Sequence, residues 1–265
     1  MTLSVTEVSQ IRSLPLQTRQ TPPLVHCLTN QVVSNFTANI LLALGASPAM
    51  VTAIEETAEF AAIASALLIN IGTIDTPRYQ AMREAIAGAN KAGKPWVFDP
   101  ITAGLPFRMK IAAEFIAEKP AVIRGNASEI MSLASLANTS FKGIDSKAGS
   151  EEALNSAQQL AKDIGTVVAV SGEVDYVTDG QRIIKITGGH PLMTKVTGVG
   201  CALNAVIAAY IAVAKDPFLG TIAALAAFSQ CGSEAAFQAE GTGSFSVAFL
   251  DRLTQLQEIS GFGSL

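Results

Sequence analysis

Short apolar runs alternate with longer stretches of helical periodicity along most of the chain. The runs have the length of strands and lie at 24–29, 47–51, 67–73, 95–100, 121–126 and 166–172. The intervening stretches repeat apolar residues as amphipathic helices do, at 31–44, 55–66, 76–93, 110–119, 127–134 and 150–165. This alternation predicts a mainly parallel sheet with helices on both faces.

Residues with special backbone preferences predict where several helices begin and end. Gly45 and Gly165 follow apolar periodicity and are suited to the left-handed turn that ends a helix. Thr76 and Pro77 predict an N-cap followed by proline at the first helical position, and Ser150 predicts another N-cap. These signals agree with the boundaries that the apolar pattern gives.

The last third of the chain changes character after residue 172. Residues 175–187 alternate as a β-hairpin does, with Asp179-Gly180 at its turn. Beyond Met193 the pattern predicts three helices up to the C-terminus. No internal repeat and no linker divides the sequence, so we expect a single domain over 1–265.

Polar residues and glycines follow most of the predicted strands. In sheets of this kind ligands bind beyond the carboxyl ends of the strands. The predicted ends carry Thr29-Asn30, Ala49-Met50, Gly72-Thr73, Asp99-Pro100, Arg124-Gly125-Asn126 and Ser171-Gly172. Ordinary loop composition is an alternative explanation for about half of them.

A glycine turn precedes the most apolar predicted helix. Gly198, Val199, Gly200 and Cys201 stand where this helix begins. Glycines allow a ligand to approach the backbone, and the free N–H groups of a helix N-terminus favour negative charge. The turn therefore predicts an anion hole, with simple turn formation as the alternative. It lacks the Lys-Ser/Thr ending of a P-loop.

The cysteine of this turn is a candidate for chemistry. A helix N-terminus lowers the pKa of a thiol, so Cys201 is a candidate catalytic group. The alternative is a small buried hydrophobe, the usual state of a free cysteine. We assign Cys27 and Cys231 to that second class.

Two carboxylates and an arginine near strand ends suit phosphate chemistry. Asp99 and Glu129 could hold a hard cation, and Arg124 could bind a phosphate group. Glu129 also stands three residues after Asn126, the spacing of a helix capping box, and this spacing leaves the two roles open. His26 is interpreted as a satisfied strand residue, and we assign it no catalytic role.

Composition excludes some classes of function. Hydrophobic residues make up 49% of the chain and charged residues 15%, and the net charge is −4. The absence of any basic run argues against nucleic-acid binding. The uncharged segment between Lys195 and Lys215 leaves about 15 helical residues after Gly200, which favours a buried core helix over a membrane span. Three cysteines without metal spacing, and no signal-peptide pattern, favour the cytoplasm.

Six motifs together resemble a known family. They are PLVHCLTNQVVSNFTANILLALGASPAMV, ALLINIGT, DPITAG, IRGNASEI, VSGEVDYVTDG and PLMTKVTGVGCALNAV. In this order they are similar to hydroxyethylthiazole kinases of thiamine salvage, over roughly residues 23–250. The resemblance implies a ribokinase-like, three-layer αβα fold. It also implies transfer of the ATP γ-phosphate to 4-methyl-5-(2-hydroxyethyl)thiazole with Mg²⁺, in a homotrimer whose substrate site lies between subunits.

Matching motif positions imply roles for individual residues. Met50 and Gly198 are expected to contact the thiazole, with Val32 beside them. The residues expected around ATP, its phosphates and the metal are Arg124, Ser171, Asn30, Asp99 and Glu129. Cys201 stands where many sugar kinases of the superfamily carry an aspartate base.

Two departures and several alternatives remain at the level of sequence. Val199 and Asn204 stand where relatives often have small or hydroxylated residues, but a backbone N–H is present whatever the side chain. Rival functions within the superfamily are a pyridoxal or hydroxymethylpyrimidine kinase and a nucleotide-dependent repair dehydratase. A non-catalytic ligand-binding subunit is a rival of another class. A dehydrogenase is disfavoured because no G-x-G-x-x-G follows the first strand.

Overall fold

Ten α-helices and eight strands occupy the described part of the chain. The computed structural model describes residues 3–101, 105–137 and 150–260. The strands are β1 (Leu24–Leu28), β2 (Ser47–Ala49), β3 (Ala66–Asn70), β4 (Trp96–Asp99), β5 (Val122–Asn126), β6 (Val167–Ser171), β7 (Asp175–Thr178) and β8 (Ile183–Ile186). The helices are α1 (Val5–Gln20), α2 (Ser34–Leu44), α3 (Ile54–Ile63), α4 (Thr76–Lys91), α5 (Pro106–Ala117), α6 (Ala127–Ala137), α7 (Leu154–Ile164), α8 (Val199–Ala214), α9 (Pro217–Gln238) and α10 (Thr242–Gln255).

All eight strands form one sheet in the order β2-β1-β3-β4-β5-β6-β7-β8. The first six positions are parallel, and β7 and β8 add an antiparallel edge. The strand order reverses at β1, which has β2 on one side and β3 on the other. Ligand sites of such sheets lie at this reversal, beyond the carboxyl ends of the strands.

Two layers of helices cover the sheet, as the apolar pattern predicted. One core cluster joins the sheet to α1, α2, α8, α9 and α10, and the second joins it to α3, α4, α5, α6 and α7. The fold is therefore the expected three-layer αβα sandwich. No helix in the described ranges is long and apolar enough to cross a membrane.

Helix α8 is buried along nearly its whole length. Eleven of its residues are buried, from Val199 to Ile211. Small side chains allow close approach: Gly220 of α9 faces the backbone of Ile211, where an added Cβ would lie 2.8 Å from the Cα atom. The helix that carries the glycine turn is consequently held rigidly within the core.

The predicted helix ends are partly correct. Gly45 and Gly165 adopt left-handed backbone conformations directly after α2 and α7. The N-cap of α4 is Asp75 rather than Thr76, since its carboxylate accepts from Arg78 N at 2.9 Å. Ser150 stands four residues before α7 and does not cap it, because its hydroxyl donates to Val174 O at 2.5 Å.

Helix α1 was not predicted from the sequence. It begins with a capping box between Ser4 and Glu7 and buries Ile11 and Leu14. Arg19 near its end donates to the carbonyl groups of Ala43, Leu253 and Leu256. The helix is thus fixed by contacts with α2 and α10, which lie far away in sequence. The polar loop expected at 138–149 and part of the DPITAG motif lie outside the described residues.

Candidate active site

Strand ends and one buried helix bring the candidate residues together. Asn30 follows β1, Asn70 ends β3 and Asp99 ends β4, so all three lie at the same edge of the sheet. Cys201 and Asn204 stand one turn apart at the beginning of α8, which packs against these strands. Asn30 and Asp99 are each 3% exposed, so the cluster is largely closed to solvent.

A chain of hydrogen bonds joins the cluster. Asn30 Nδ2 donates to Asn70 Oδ1 at 3.2 Å and to Cys201 Sγ at 3.5 Å. Asn70 Nδ2 donates to Asp99 Oδ2, and Asn204 Nδ2 donates to the same oxygen at 2.7 Å. The carboxylate and the thiol are thereby connected through two amides.

The orientation of the Asn70 amide is fixed by the backbone. Gly72 N donates to Asn70 Oδ1 at 2.9 Å, so the Nδ2 group faces Asp99. Asp99 Oδ2 therefore accepts from two amides, while Asp99 Oδ1 accepts from Ile101 N at 3.2 Å. This leaves Oδ1 with greater remaining capacity for a cation or another donor.

The environment of Asp99 disfavours its charge. Burial raises its pKa to about 7, and the nearby negative charge of Glu129 acts in the same direction. Arg124 and the donors Ile101 N and Asn204 partly oppose this rise. Two carboxylates this close in a buried site would be stabilised by a cation.

Cys201 differs from the expectation drawn from its position on the helix. Burial raises the pKa of its thiol to about 12, and the charge of Asp99 adds to the rise. The predicted lowering by the helix N-terminus is therefore wrong, because loss of hydration outweighs the helix dipole. At neutral pH the thiol is protonated and acts as a hydrogen-bonding group.

The glycine turn has the geometry that an anion hole requires. Gly198 has a φ of 100°, and an added Cβ would lie 3.1 Å from Val33 Cγ1 and 3.2 Å from Phe36 Cδ1. Helix α8 begins at the next residue, where Val199 N donates to Val196 O at 3.5 Å, and Ala202 N makes the first bond of the helix by donating to Gly198 O at 2.8 Å. The side chain of Val199 is 4% exposed and packs in the core, so it does not obstruct the turn.

A cleft of about 930 Å³ opens above this turn. Arg124 lies at its wall and donates from Nη1 to Gly200 O at 2.9 Å. Ser171 also lines the cleft, and its hydroxyl donates to Gly125 O at 3.4 Å. Apolar side chains, including Leu203 and Phe228, line another part of it. The cleft thus combines a wall that carries a guanidinium and a hydroxyl with an apolar region.

Glu129 forms the capping box that its spacing allowed. Asn126 N donates to Glu129 Oε2 at 2.8 Å, and Glu129 N donates to Asn126 Oδ1 at 3.0 Å. Within the described ranges no cluster of three or more His, Cys, Asp or Glu side chains forms a metal site. Mg²⁺ needs only one or two carboxylates when phosphates and water complete its shell, so Asp99 and Glu129 fit that ion.

The predicted substrate residues differ in how they relate to the hydrogen-bonded cluster. Met50 is partly buried against the large core, in the irregular segment between β2 and α3. Val32 is 68% exposed, and its backbone N–H donates to Asn30 Oδ1 at 3.1 Å. Gly198 touches the start of α2, which follows Val32. Gly198 therefore lies next to Val33, the residue after Val32, and the contact of Val32 and Gly198 with a substrate stays a prediction.

Three residues of the site region were missed or underrated. Asn70 ends a run that was interpreted only as a buried strand, although a polar residue at that end was a usable signal. Asn204 was noted only as a departure, although it follows Cys201 by one helical turn. His26 was interpreted as satisfied, yet only its Nε2 has a partner, at Val51 O.

The comparisons with known proteins agree with one another. The model of the hydroxyethylthiazole kinase family matches residues 16–259. A hydroxyethylthiazole kinase of Pectobacterium carotovorum is 54% identical over 242 residues, 91% of each chain. One from Yersinia enterocolitica is 53% identical and covers 92% of this chain and 94% of its own.

Solved structures show the same likeness. A hydroxyethylthiazole kinase protein from Pyrococcus horikoshii superimposes with a TM-score of 0.87 at 39% identity, over 94% of both chains. A pyridoxal kinase from Staphylococcus aureus has a TM-score of 0.57 at 17% identity, over 81% of this chain and 89% of its own. The second likeness concerns the fold alone, and it supports the ribokinase-like architecture.

Proposed function

The chain belongs to the hydroxyethylthiazole kinase family, and we propose that the cleft above the glycine turn is its phosphoryl-transfer site. The enzyme is a kinase that phosphorylates the hydroxyl group of hydroxyethylthiazole in thiamine salvage. The observation that carries the proposed site is that one cleft holds Arg124, Ser171 and Gly200 together. These residues were the expected contacts of ATP and of its phosphates.

In this proposal the triphosphate lies over the beginning of α8. We propose that the amides of Gly200 and Cys201 bind the migrating phosphoryl group, whose charge is spread over three oxygens. Arg124 adds a positive charge beside the turn and holds its shape through Gly200 O. The apolar part of the cleft, with Leu203 and Phe228, then receives the nucleobase.

Asp99 and Glu129 are the residues that would hold Mg²⁺, together with phosphate oxygens. The ion would screen the charge of the phosphates. Asn70 and Asn204 position Asp99 by binding Oδ2, which leaves Oδ1 for the ion or its water. Asn30 completes this arrangement by linking Asn70 to Cys201.

Cys201 orients the acceptor rather than removing its proton as a thiolate. A thiol with a pKa of about 12 stays protonated at pH 7 and can form a hydrogen bond with the alcohol. A loose transition state needs little proton removal before the phosphoryl group has moved. The hydroxyl proton then leaves late, to a group on the transferred phosphate or to water.

The thiazole ring is proposed to lie against Met50, near Gly198 and Val32. A thioether packs well on a flat aromatic ring. Val32 exposes 68% of its surface in the single chain, which suits a site completed by a neighbouring subunit of a homotrimer. We also propose a cytoplasmic location, because all three cysteines are free thiols.

The test is an ADP-release assay with ATP and Mg²⁺ across a panel of alcohols. The thiazole alcohol should be turned over at least about a hundredfold faster than pyridoxal or hydroxymethylpyrimidine. Arg124→Ala should raise the KM for ATP by about tenfold or more, with thiazole binding nearly unchanged. Loss of thiazole affinity with full nucleotide affinity would contradict the placement of the two substrates.

A further inference from the structure

His26 lies where the proposed substrate segment leaves the sheet. It is fully buried in β1 and pairs with Ala49, the last residue of β2. Met50 follows directly, and residues 50–53 have no regular secondary structure. The ladder of the sheet therefore fixes the chain up to Ala49, and something else must fix Met50.

The imidazole ring of His26 forms a hydrogen bond with this segment. Its Nε2 atom lies 2.8 Å from Val51 O, the carbonyl directly after Met50. A carbonyl oxygen only accepts, so Nε2 carries the hydrogen and the tautomer is determined. The ring also makes an edge contact with Phe60 of α3, with centroids 5.0 Å apart.

The state of the second ring nitrogen, Nδ1, supports a specific role for the hydrogen bond between Nε2 and Val51 O. Nδ1 is buried and has no hydrogen-bond partner, a state that destabilises the folded chain. A leucine in the same strand position would avoid this cost. What the histidine adds over an apolar residue is the single hydrogen bond to the segment that carries Met50.

We propose that His26 is a positioning residue for the acceptor substrate. By holding Val51 O it fixes the backbone next to Met50, and so it sets where the flexible thioether meets the thiazole ring. Methionine has three rotatable bonds, so its tip is only as well placed as the backbone that carries it. The proposal rests on the proposed function for the identity of the ring, but the placement of Met50 can be measured without any ligand.

Three substitutions separate the hydrogen bond from the rest of the side chain. His26→Gln places an amide nitrogen close to the position of Nε2, whereas the nitrogen of His26→Asn reaches only about as far as Nδ1. Both put an amide into the same buried place, so they are a matched pair. His26→Leu removes the donor together with the unpartnered Nδ1, and it replaces the asparagine variant if that variant fails to fold. We call the asparagine and leucine variants donor-free because neither places a donor at the position of Nε2.

Kinetics give the first readout. His26→Asn and His26→Leu should raise the KM for the thiazole alcohol about tenfold and leave the KM for ATP within about twofold. His26→Gln should keep both values within about threefold of the parent. Equal changes in both KM values, or an unchanged thiazole KM in the donor-free variants, would overturn the proposal.

The methyl signal of Met50 in the unliganded protein gives the second readout. It is assigned by ¹³C-methyl NMR through its loss in Met50→Leu. The signal should shift or broaden in the donor-free variants and stay in place in His26→Gln. If the parent does not phosphorylate the thiazole alcohol, the proposed function fails, and this signal alone decides the role of His26: an unmoved signal rejects it.

Discussion

At the scale of single residues, burial decides the chemistry of the site more than helix polarity does. Cys201 stands at the positive end of α8, yet its thiol keeps its proton because it is removed from water. Asp99 is affected in the same direction and has a pKa of about 7. Burial disfavours the charged form of both groups. The side chains that donate hydrogen bonds to them are amides rather than groups of opposite charge.

We expect Cys201→Ala to lower kcat about tenfold with little change in either KM. The thiol accepts from Asn30 and is proposed to orient the acceptor, so its loss should remove an orienting contact but no essential base. Cys231→Ala is the control, because that cysteine is also free but lies in the core on α9. Steady-state kinetics with matched unfolding curves would check this. An unchanged kcat in Cys201→Ala would show that the thiol contributes only to packing.

Asp99 should make the stability of the metal-free protein depend on pH. Its pKa is about 7 in the folded state against a reference value of 3.8, so between these values the folded protein holds a proton that the unfolded chain has released. Its contribution to the free energy of unfolding is therefore greatest below pH 4 and is lost as pH rises toward 7, by about 1.4 kcal/mol per pH unit. Urea unfolding of the parent and of Asp99→Asn across this range measures the difference. Parallel curves for the two proteins would contradict the assignment.

At the scale of elements, close contact between helices depends on glycines in specific positions. Gly88 of α4 faces Ala58 of α3, and an added Cβ would overlap the Ala58 carbonyl oxygen. Because that oxygen belongs to the backbone, relief would require the two helices to move apart. The glycine therefore sets the distance between α3 and α4, and α3 directly follows the Met50 segment.

Gly88→Ala should destabilise the protein by about 1–3 kcal/mol, the usual cost of overpacking. Gly243→Ala in α10 is the matched control, since its Cβ would meet nothing within 4 Å. Alanine there should change stability by less than about 1 kcal/mol, and it should favour the folded state. Chemical unfolding of both variants provides the comparison. Equal losses would show that contact with Ala58 is not the cause.

The sequence predicted elements well where local patterns determine them. Strands at 67–73 and 166–172 are apolar runs, and their cores were identified correctly. Helix α1 was missed because its few buried residues, such as Ile11, stand among polar ones and Pro15 lies within it. Its position depends on Arg19 and on carbonyl groups more than 200 residues away, at Leu253 and Leu256. A local sequence pattern cannot reveal contacts between residues so far apart in the chain.

The same distinction applies to the site. Asn30, Asp99 and Cys201 could be singled out from the sequence because each stands at or just beyond a strand end or at a glycine turn. The structure brings their side chains into one hydrogen-bonded cluster, and their roles stay predictions. The bond from Asn70 to Asp99 could not be predicted, because it depends on the register between β3 and β4. The link from His26 to Val51 needs the pairing of β1 with β2 and the course of the chain beyond it. The pKa of Cys201 also depends on burial, which the helix position does not reveal.

At the scale of the whole molecule, we predict a trimer whose activity depends on assembly. Sedimentation of the full chain should give three times the mass of one chain. On dilution, the KM for the thiazole should rise as trimers dissociate, because a site between subunits is then incomplete. A monomer with an unchanged thiazole KM would contradict this arrangement, even if nucleotide binding were retained.

Helix α8 and the segment at 50–53 differ in how well they should tolerate substitution. The helix is buried in the core and its first turn is proposed to bind the phosphate, so we expect substitutions there to affect both folding and activity. The segment around Met50 lies beyond the last paired residue of β2, packs against the core at Met50 and is bonded to one imidazole at Val51 O. A laboratory seeking an enzyme for another small alcohol should therefore randomise this short stretch together with its histidine anchor. The residues proposed to bind the phosphates would then remain unchanged for each new acceptor pocket.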